Sequence, residues 1–480
     1  MEADQGLGRG SGEFLPGMFR GTASRGRGSG ESGCRIGGVE PILSPGYQCQ
    51  GDAERGPRNQ PQKPAPENEF NLSETYFRRG LGLKKEVEPI LAAEYHSSLV
   101  DQIRSDGFAH AWGDLSIRLA KDFGFCYGVD RAVDYAYQTA HKFPDRSIYL
   151  VGEIIHNPHV NQRLSDAGIT FLYPDATGTF DFSGITPDDV VILPAFGVTM
   201  ADFSELREIG CILIDTTCGS VLNVWKRVES YAKDGFTALI HGKYFHEETR
   251  ATASQVNRHD AGRYIVVRDM EEAELIMRYI EGSADALSRE AFLDHFTARS
   301  SPGFDPDHDL ERIGVANQTT MLASESLAIA AAVGRSLERR WGSDSLPDHF
   351  RSFDTICSAT QERQDAIIEM VQDPPDIMVV IGGYNSSNTN HLAHLCREYT
   401  TTFHISDASC IDPVTGAIRH KPDLAADAPE VVTTEWLPAG PVSIGMTAGA
   451  STPNNKIGET IARILETRGL EAHAPGVSVA

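Results

Sequence analysis

The sequence predicts an α/β protein built from three copies of one parallel-sheet module, and three observations carry that expectation. Short β-branched and apolar runs alternate with amphipathic helical patterns between about residues 115 and 455, which is how βαβ units with parallel strands read. Three times an apolar, strand-like run ends in a cysteine and passes straight into a helical pattern: LSIRLAKDFGFCYGVDRAVDYAY at Cys126, CILIDTTCGSVLNVWKRVESYA at Cys218 and FRSFDTICSATQERQDAIIEMV at Cys357. After each cysteine a second strand-like run with a polar end follows at a nearly constant interval (126 to 156, 218 to 246, 357 to 386), and then a third.

In chain order, residues 1–66 come first and differ from the rest. They hold 15 of the 45 glycines with scattered Arg, Ser, Pro and Gln, too little apolar surface to offset chain entropy, and are expected to be a disordered leader. Glu2, Asp4, Glu13, Glu31 and Glu40 argue against an acidic-poor transit peptide. Residues 67–114 are expected to form a helical lead-in, with Ile90, Leu91, Tyr95, Leu99 and Ile103 at three-to-four spacing before Gly107. The three α/β domains are placed at 115–217, 218–350 and 351–455, and a C-terminal helix and tail at 456–480. Within the second domain, residues 281–310 are rich in Asp, Ser, Pro and His and are expected to be a surface excursion. Functional groups should gather at the carboxyl ends of the strands, where open α/β sheets bind ligands.

The chain is 480 residues long, with 40% hydrophobic and 23% charged residues, as in ordinary globular proteins. Its 67 acidic and 43 basic side chains give a net charge of −24, which repels phosphate backbones and anionic membranes. Neither nucleic acid nor a membrane is therefore an expected partner. No run approaches the ~18 apolar residues of a membrane span, and no secretory signal is visible, so the expected location is cytoplasmic, or the plastid stroma in a plant or alga. The eight cysteines lack close pairing, which suits a reducing compartment.

A lone cysteine at a strand end is ordinarily a small buried hydrophobe. Three at equivalent points of a triplicated module instead suggest a shared metal site, each beside a helix start whose dipole and free N–H groups lower a thiol's pKa. Thiolates select iron–sulfur, zinc or copper(I). Cys34, Cys49, Cys211, Cys396 and Cys410 keep the ordinary reading.

The polar loops supply the other half of the site. His156 in EIIHNPHVNQRL and His246 in HGKYFHEETRAT each follow a strand and precede a helix, beside free backbone donors suited to an anion. NSSNTNH, TAGAST and NQTT add side-chain donors at three further strand ends, and converging donors of this kind fit a phosphate or diphosphate. Glu248 stands where a carboxylic acid could deliver protons. His159 and His241 are read as structural or solvent-facing.

The segments GFCYGVDRAV, EIIHNPHVNQRL, DTTCGSVLNVW, HGKYFHEETRATAS, ANQTTML, FDTICSATQERQDA, GGYNSSNTNHL and MTAGASTPN resemble, in order and over about residues 80–465, the LytB/IspH family of 4-hydroxy-3-methylbut-2-enyl diphosphate reductases of non-mevalonate isoprenoid synthesis. The long form with HGKYFHEET is similar to the plant and cyanobacterial branch. The resemblance implies a trefoil of three pseudo-equivalent α/β domains with parallel sheets around a central [4Fe–4S] cluster. That cluster would be held by Cys126, Cys218 and Cys357, with one iron open to the substrate hydroxyl. It also implies diphosphate binding by His156, His246, Ser386, Ser387, Asn388 and Ser451, and proton handling by Glu248 and Thr319. The implied substrate is an allylic diphosphate, reduced to isopentenyl and dimethylallyl diphosphate. Electrons would come from a ferredoxin or flavodoxin, since no GxGxxG loop follows any predicted strand.

The chain departs from many bacterial members at two places: Phe196 stands where they carry a histidine, and Gly219 where proline is common. The competing readings are a three-cysteine dehydratase resembling quinolinate synthase and a non-catalytic iron–sulfur sensor.

Overall fold

The computed structural model describes residues 75–353, 355–422 and 428–472. The expected leader 1–66, with Cys34 and Cys49, lies outside the described residues, as does the end of the expected 456–480 segment.

Three sheets carry the fold, and they share one strand order. The first sheet runs Tyr76–Phe77, Ile212–Asp215, Val190–Leu193, Ile148–Val151, Ile169–Leu172, all parallel. The second runs Phe350–Ser352, Ile313–Asn317, Thr237–His241, Arg263–Val267, again all parallel. The third runs Thr401–Ile405, Ile377–Ile381, Val442–Ala448, Leu115–Leu119, Ala109–Trp112, with only the last pair antiparallel. In each, the strand leading to a cysteine pairs with the strand of the third run, which pairs with that of the second run. A further parallel strand (169–172, 263–267 or 401–405) flanks the second-run strand, and the sequence pattern had not separated it. Val190–Leu193, Thr237–His241, Ile313–Asn317 and Ile377–Ile381 are buried throughout, because helices cover both faces of a parallel sheet.

The strand before each cysteine belongs to one sheet and the helix after it to the next. Leu115–Leu119 pairs with Val442–Ala448 in the third sheet, whereas the helix Tyr127–Lys142 packs Val129, Ala132 and Val133 on Ile148 and Leu150 of the first. Ile212–Asp215 lies in the first sheet, and the helix Gly219–Lys233 packs Val224, Val228 and Tyr231 on Ala238 and Ile240 of the second. Phe350–Ser352 lies in the second, and the helix Ser358–Met370 packs Ala366, Ile367 and Met370 on Met378 and Val380 of the third. The three lobes thus close into a trefoil ring whose crossovers are the three cysteine junctions. The segment expected to open the first domain at residue 115 therefore begins in the third sheet.

Two further expectations change. The lead-in 67–114 is not solely helical: besides the helices Lys84–Tyr95 and Ser98–Ser105 it contributes an edge strand to the first sheet and another to the third. Residues 281–310 are not a surface excursion. The helix Arg289–Phe296 buries Phe292 and Phe296, four residues apart on one face, against Ile265, Ile276 and Ile313. A C-terminal helix, Asn454–Thr467, covers the third sheet with Ile457, Ile461 and Ile464 beside Val100 and Ile103.

Candidate functional site

Cys126, Cys218 and Cys357 each occupy the cap position of the helix that follows, and all three line one cavity at the centre of the ring. A threefold backbone pattern holds them there. The N–H of Cys126 donates to the carbonyl of Ala450 at 3.2 Å, that of Cys218 to Ala195 at 3.0 Å and that of Cys357 to Thr319 at 3.5 Å. Each cysteine is thereby tied to the third-run loop of the sheet its own strand belongs to.

The sulfurs are close neighbours. A Cβ at Gly128 would stand 2.5 Å from Cys218 Sγ and 3.9 Å from Cys126 Sγ, so only glycine leaves room there. Ser220 Oγ donates to Cys357 Sγ at 3.3 Å, and the Val129 N–H to Cys126 Sγ at 3.5 Å. Burial nevertheless pushes the Cys126 and Cys218 thiols above their ordinary range, and the helix-start N–H groups offset this only in part. The expectation that helix starts would lower these thiols is corrected: desolvation is the larger effect. Three half-buried thiols gathered on one cavity, with Arg363 favouring the thiolate at Cys126, suit a thiophilic metal centre, which releases their protons when it binds.

Opposite the cysteines stand two histidines. His156 is buried, stacks on Phe196 (centroids 4.4 Å apart, planes at 22°), and places Nδ1 2.9 Å from Glu153 Oε2. His246 caps the helix Glu247–Ala253, its Nδ1 accepting the Glu248 N–H at 3.1 Å. The two Nε2 atoms are 3.1 Å apart. These partners assign every ring proton. His246 Nδ1 is an acceptor, so in the neutral ring Nε2 carries the proton and donates to His156 Nε2. His156 then carries its proton on Nδ1, facing Glu153. Burial, with His156 and Lys243 nearby, holds His246 well below its usual range and so neutral.

His156, His246 and Glu247 could also be read as a metal-ligand set. The tautomer opposes that reading, because a ring whose Nδ1 accepts an N–H presents N–H, not a lone pair, at Nε2. An N–H aimed into the cavity suits an anion.

Glu248 is buried, and Thr319 grips its carboxyl twice: the Thr319 N–H meets Oε1 at 2.6 Å and Thr319 Oγ1 meets Oε2 at 3.0 Å. Desolvation raises its pKa to about 7, against the lowering effect of the Thr319 bonds. Ser386 caps the helix Ser387–Arg397, so that Ser386, Ser387 and Asn388 come to the cavity at a helix N-terminus. Asn388 Oδ1 accepts the Ala450 N–H at 2.8 Å, while its Nδ2 is buried with no partner among the described residues. Ser451 Oγ donates to the His156 carbonyl at 3.2 Å and Asn157 Nδ2 to the Ser451 carbonyl at 2.7 Å, which pins the third loop to the first.

All eleven residues singled out from the sequence line this one cavity. Sequence reasoning missed Glu153, the partner of His156, whose signal was its position three residues before the histidine; Gly128, the spacer between two sulfurs, lies in FGFCYGV, whose small residues are those expected to let backbone approach a cluster. Cys211, Cys396 and Cys410 are buried and free, away from the cavity. His241 is fully buried with Nδ1 2.8 Å from Ser326 Oγ, and His159 lies edge-on to Tyr95, so both are structural.

The LytB protein family model matches residues 117–465. A 4-hydroxy-3-methylbut-2-enyl diphosphate reductase of Gloeobacter violaceus is 49% identical over 84% of this chain and 95% of its own length. One of Thermosynechococcus vestitus is 48% identical over 83% and 96%. Among solved structures, the E-1-hydroxy-2-methyl-but-2-enyl-4-diphosphate reductase of Plasmodium falciparum has the same fold, with a TM-score of 0.52 at 19% identity over 74% of this chain and 89% of its own.

Proposed function

The chain belongs to the LytB protein family, and from that premise we propose how its cavity performs the family's reaction, reduction of 4-hydroxy-3-methylbut-2-enyl diphosphate to isopentenyl and dimethylallyl diphosphate. This is the last step of non-mevalonate isoprenoid synthesis, and the enzyme is an iron–sulfur oxidoreductase. The allylic C–O bond breaks, a C–H bond forms, and two electrons and two protons are consumed as the oxygen leaves as water.

The residues that would hold the cofactor are Cys126, Cys218 and Cys357. A [4Fe–4S] cluster bound there supplies single electrons and a Lewis-acidic iron for C–O cleavage. The protein's own groups do the rest. Ser386, Ser387, Asn388 and Ser451, with the Nε2 atoms of His156 and His246, bind the diphosphate and fix the distance from it to the sulfurs. Glu248, with a pKa near neutrality, holds a proton that Thr319 Oγ1 can pass to the departing oxygen. The apolar wall of Val129, Ile155, Ala195 and Phe196 keeps bulk water from the carbon to be protonated.

The observation that carries this reading is the buried Glu248–Thr319 pair facing a cavity shared by three thiols and an unpartnered Asn388 donor. The electron donor that fits is a ferredoxin or flavodoxin, and the compartment is the cytoplasm, or the plastid stroma in a plant or alga. Among the described residues no helix is long and apolar enough to cross a membrane.

The test is anaerobic purification, iron and sulfide analysis, and turnover of the allylic diphosphate with a chemical reductant. Iron and sulfide in cluster proportion, a Mössbauer or electron resonance signal that changes on adding substrate, and formation of both isomers are expected. A cluster indifferent to the diphosphate would overturn the proposal.

A further inference from the structure

The hydrogen-bond chain through the two histidines is complete only while no anion sits between them. His246 Nε2–H donates to His156 Nε2, whose Nδ1–H faces Glu153. When a diphosphate oxygen enters, the His246 donor can turn to it without changing charge. His156 cannot, since a bare Nε2 lone pair would confront an anionic oxygen. Only the imidazolium form presents donors at both ends, one to the ligand and one to Glu153.

We propose that Glu153 is the positioning residue that lets His156 take up a proton as the diphosphate binds, so that ligand binding and protonation are coupled at this one ring. The inference rests on the diphosphate reading of the site. Glu153 is held for the task from two sides: its Oε2 lies 2.9 Å from His156 Nδ1 and accepts from Asn385 Nδ2 at 3.4 Å. The Phe196 ring stacked on His156 offers its π face to the resulting cation, a role a histidine in that place would fill less well.

The other groups facing His156 do not substitute for Glu153. Glu247 is exposed, and its Oε2 stands 3.7 Å from His156 Nε2, beyond hydrogen-bond distance. His246 is held neutral, with Lys243 opposing a second positive charge there. Glu248 is committed to Thr319, and the Ser451 hydroxyl donates to the His156 carbonyl rather than facing the ring.

The experiment is calorimetric titration of the holoenzyme with isopentenyl diphosphate at about pH 8, where free imidazole is largely neutral and the terminal phosphate fully ionised. Repeating it in buffers of different ionisation enthalpy gives the protons taken up. Uptake of about one proton per ligand is expected for the wild type. Glu153→Gln keeps an acceptor but removes the charge. It should lose most of the uptake and bind about tenfold more weakly at pH 8, with the gap closing toward pH 6. Binding without uptake by the wild type, or unchanged uptake in Glu153→Gln, would overturn this proposal alone. No binding by either protein would overturn the diphosphate reading as well. Absence of uptake by the wild type overturns the proposal whether or not the variant folds.

Discussion

Glu248 and Thr319 are joined twice, carboxyl oxygen to backbone N–H and carboxyl oxygen to hydroxyl, although Glu248 opens the helix after one strand of the second sheet and Thr319 lies in the loop after its neighbour. The double contact fixes the carboxyl plane and leaves the threonine hydroxyl as the route by which its proton can reach the cavity.

Glu248→Gln preserves shape and the acceptor for the Thr319 N–H but cannot release a proton at neutral pH. Turnover should fall by about 10²-fold or more while iron content and cluster absorbance are unchanged. Wild-type turnover in that variant would remove Glu248 from the proton path.

The raised pKa of Glu248 sets a pH dependence with a definite sign. The acid is protonated below about 7, so kcat should decline as pH rises through that value. The fold also prefers the neutral carboxyl. The stability tied to it is complete below the ordinary carboxylate range and is lost as pH rises through about 7. Melting curves of wild type and Glu248→Gln should therefore shift apart between pH 6 and pH 8, with the variant gaining relative to the wild type at the higher pH.

Gly128→Ala would drive a methyl to 2.5 Å from Cys218 Sγ. The helix Tyr127–Lys142 tolerates alanine in itself, so the fold should persist while the sulfur moves. Iron analysis should show loss of most bound metal with near-normal circular dichroism. Full iron loading would show that the sulfur has room to shift.

Phe292→Ala tests whether residues 281–310 are part of the core. Phe292 is fully buried, and its truncation should cost about 3–5 kcal/mol in denaturant unfolding without altering iron content. A loss within the ~0.5 kcal/mol typical of surface sites would restore the reading of a surface excursion.

The chain's own pattern determined a large part of this. The three strand–cysteine–helix junctions were legible because an apolar, strand-like run gives way to an amphipathic helical pattern at each cysteine, a local signal. The polar loops were legible because donors at strand ends have few structural reasons to cluster. Glu248, His156 and the NSSNTNH turn could be named from those positions, and the resemblance to the family narrowed that turn to Ser386, Ser387 and Asn388.

Tertiary structure decided what depends on partners distant in sequence. Strand pairing is non-local, so nothing near residue 115 reveals that Leu115–Leu119 pairs with Val442–Ala448 or that each cysteine bridges two sheets. Phe292 and Phe296 sit in a polar stretch and count as core only once Ile265 and Ile313 are seen beside them. Helix starts suggested lowered thiols, yet burial, a property of the assembled ring, dominates. The protons on His156 and His246 are set by Glu153 and the Glu248 N–H, because an imidazole's tautomer follows whichever donor or acceptor the fold places against it.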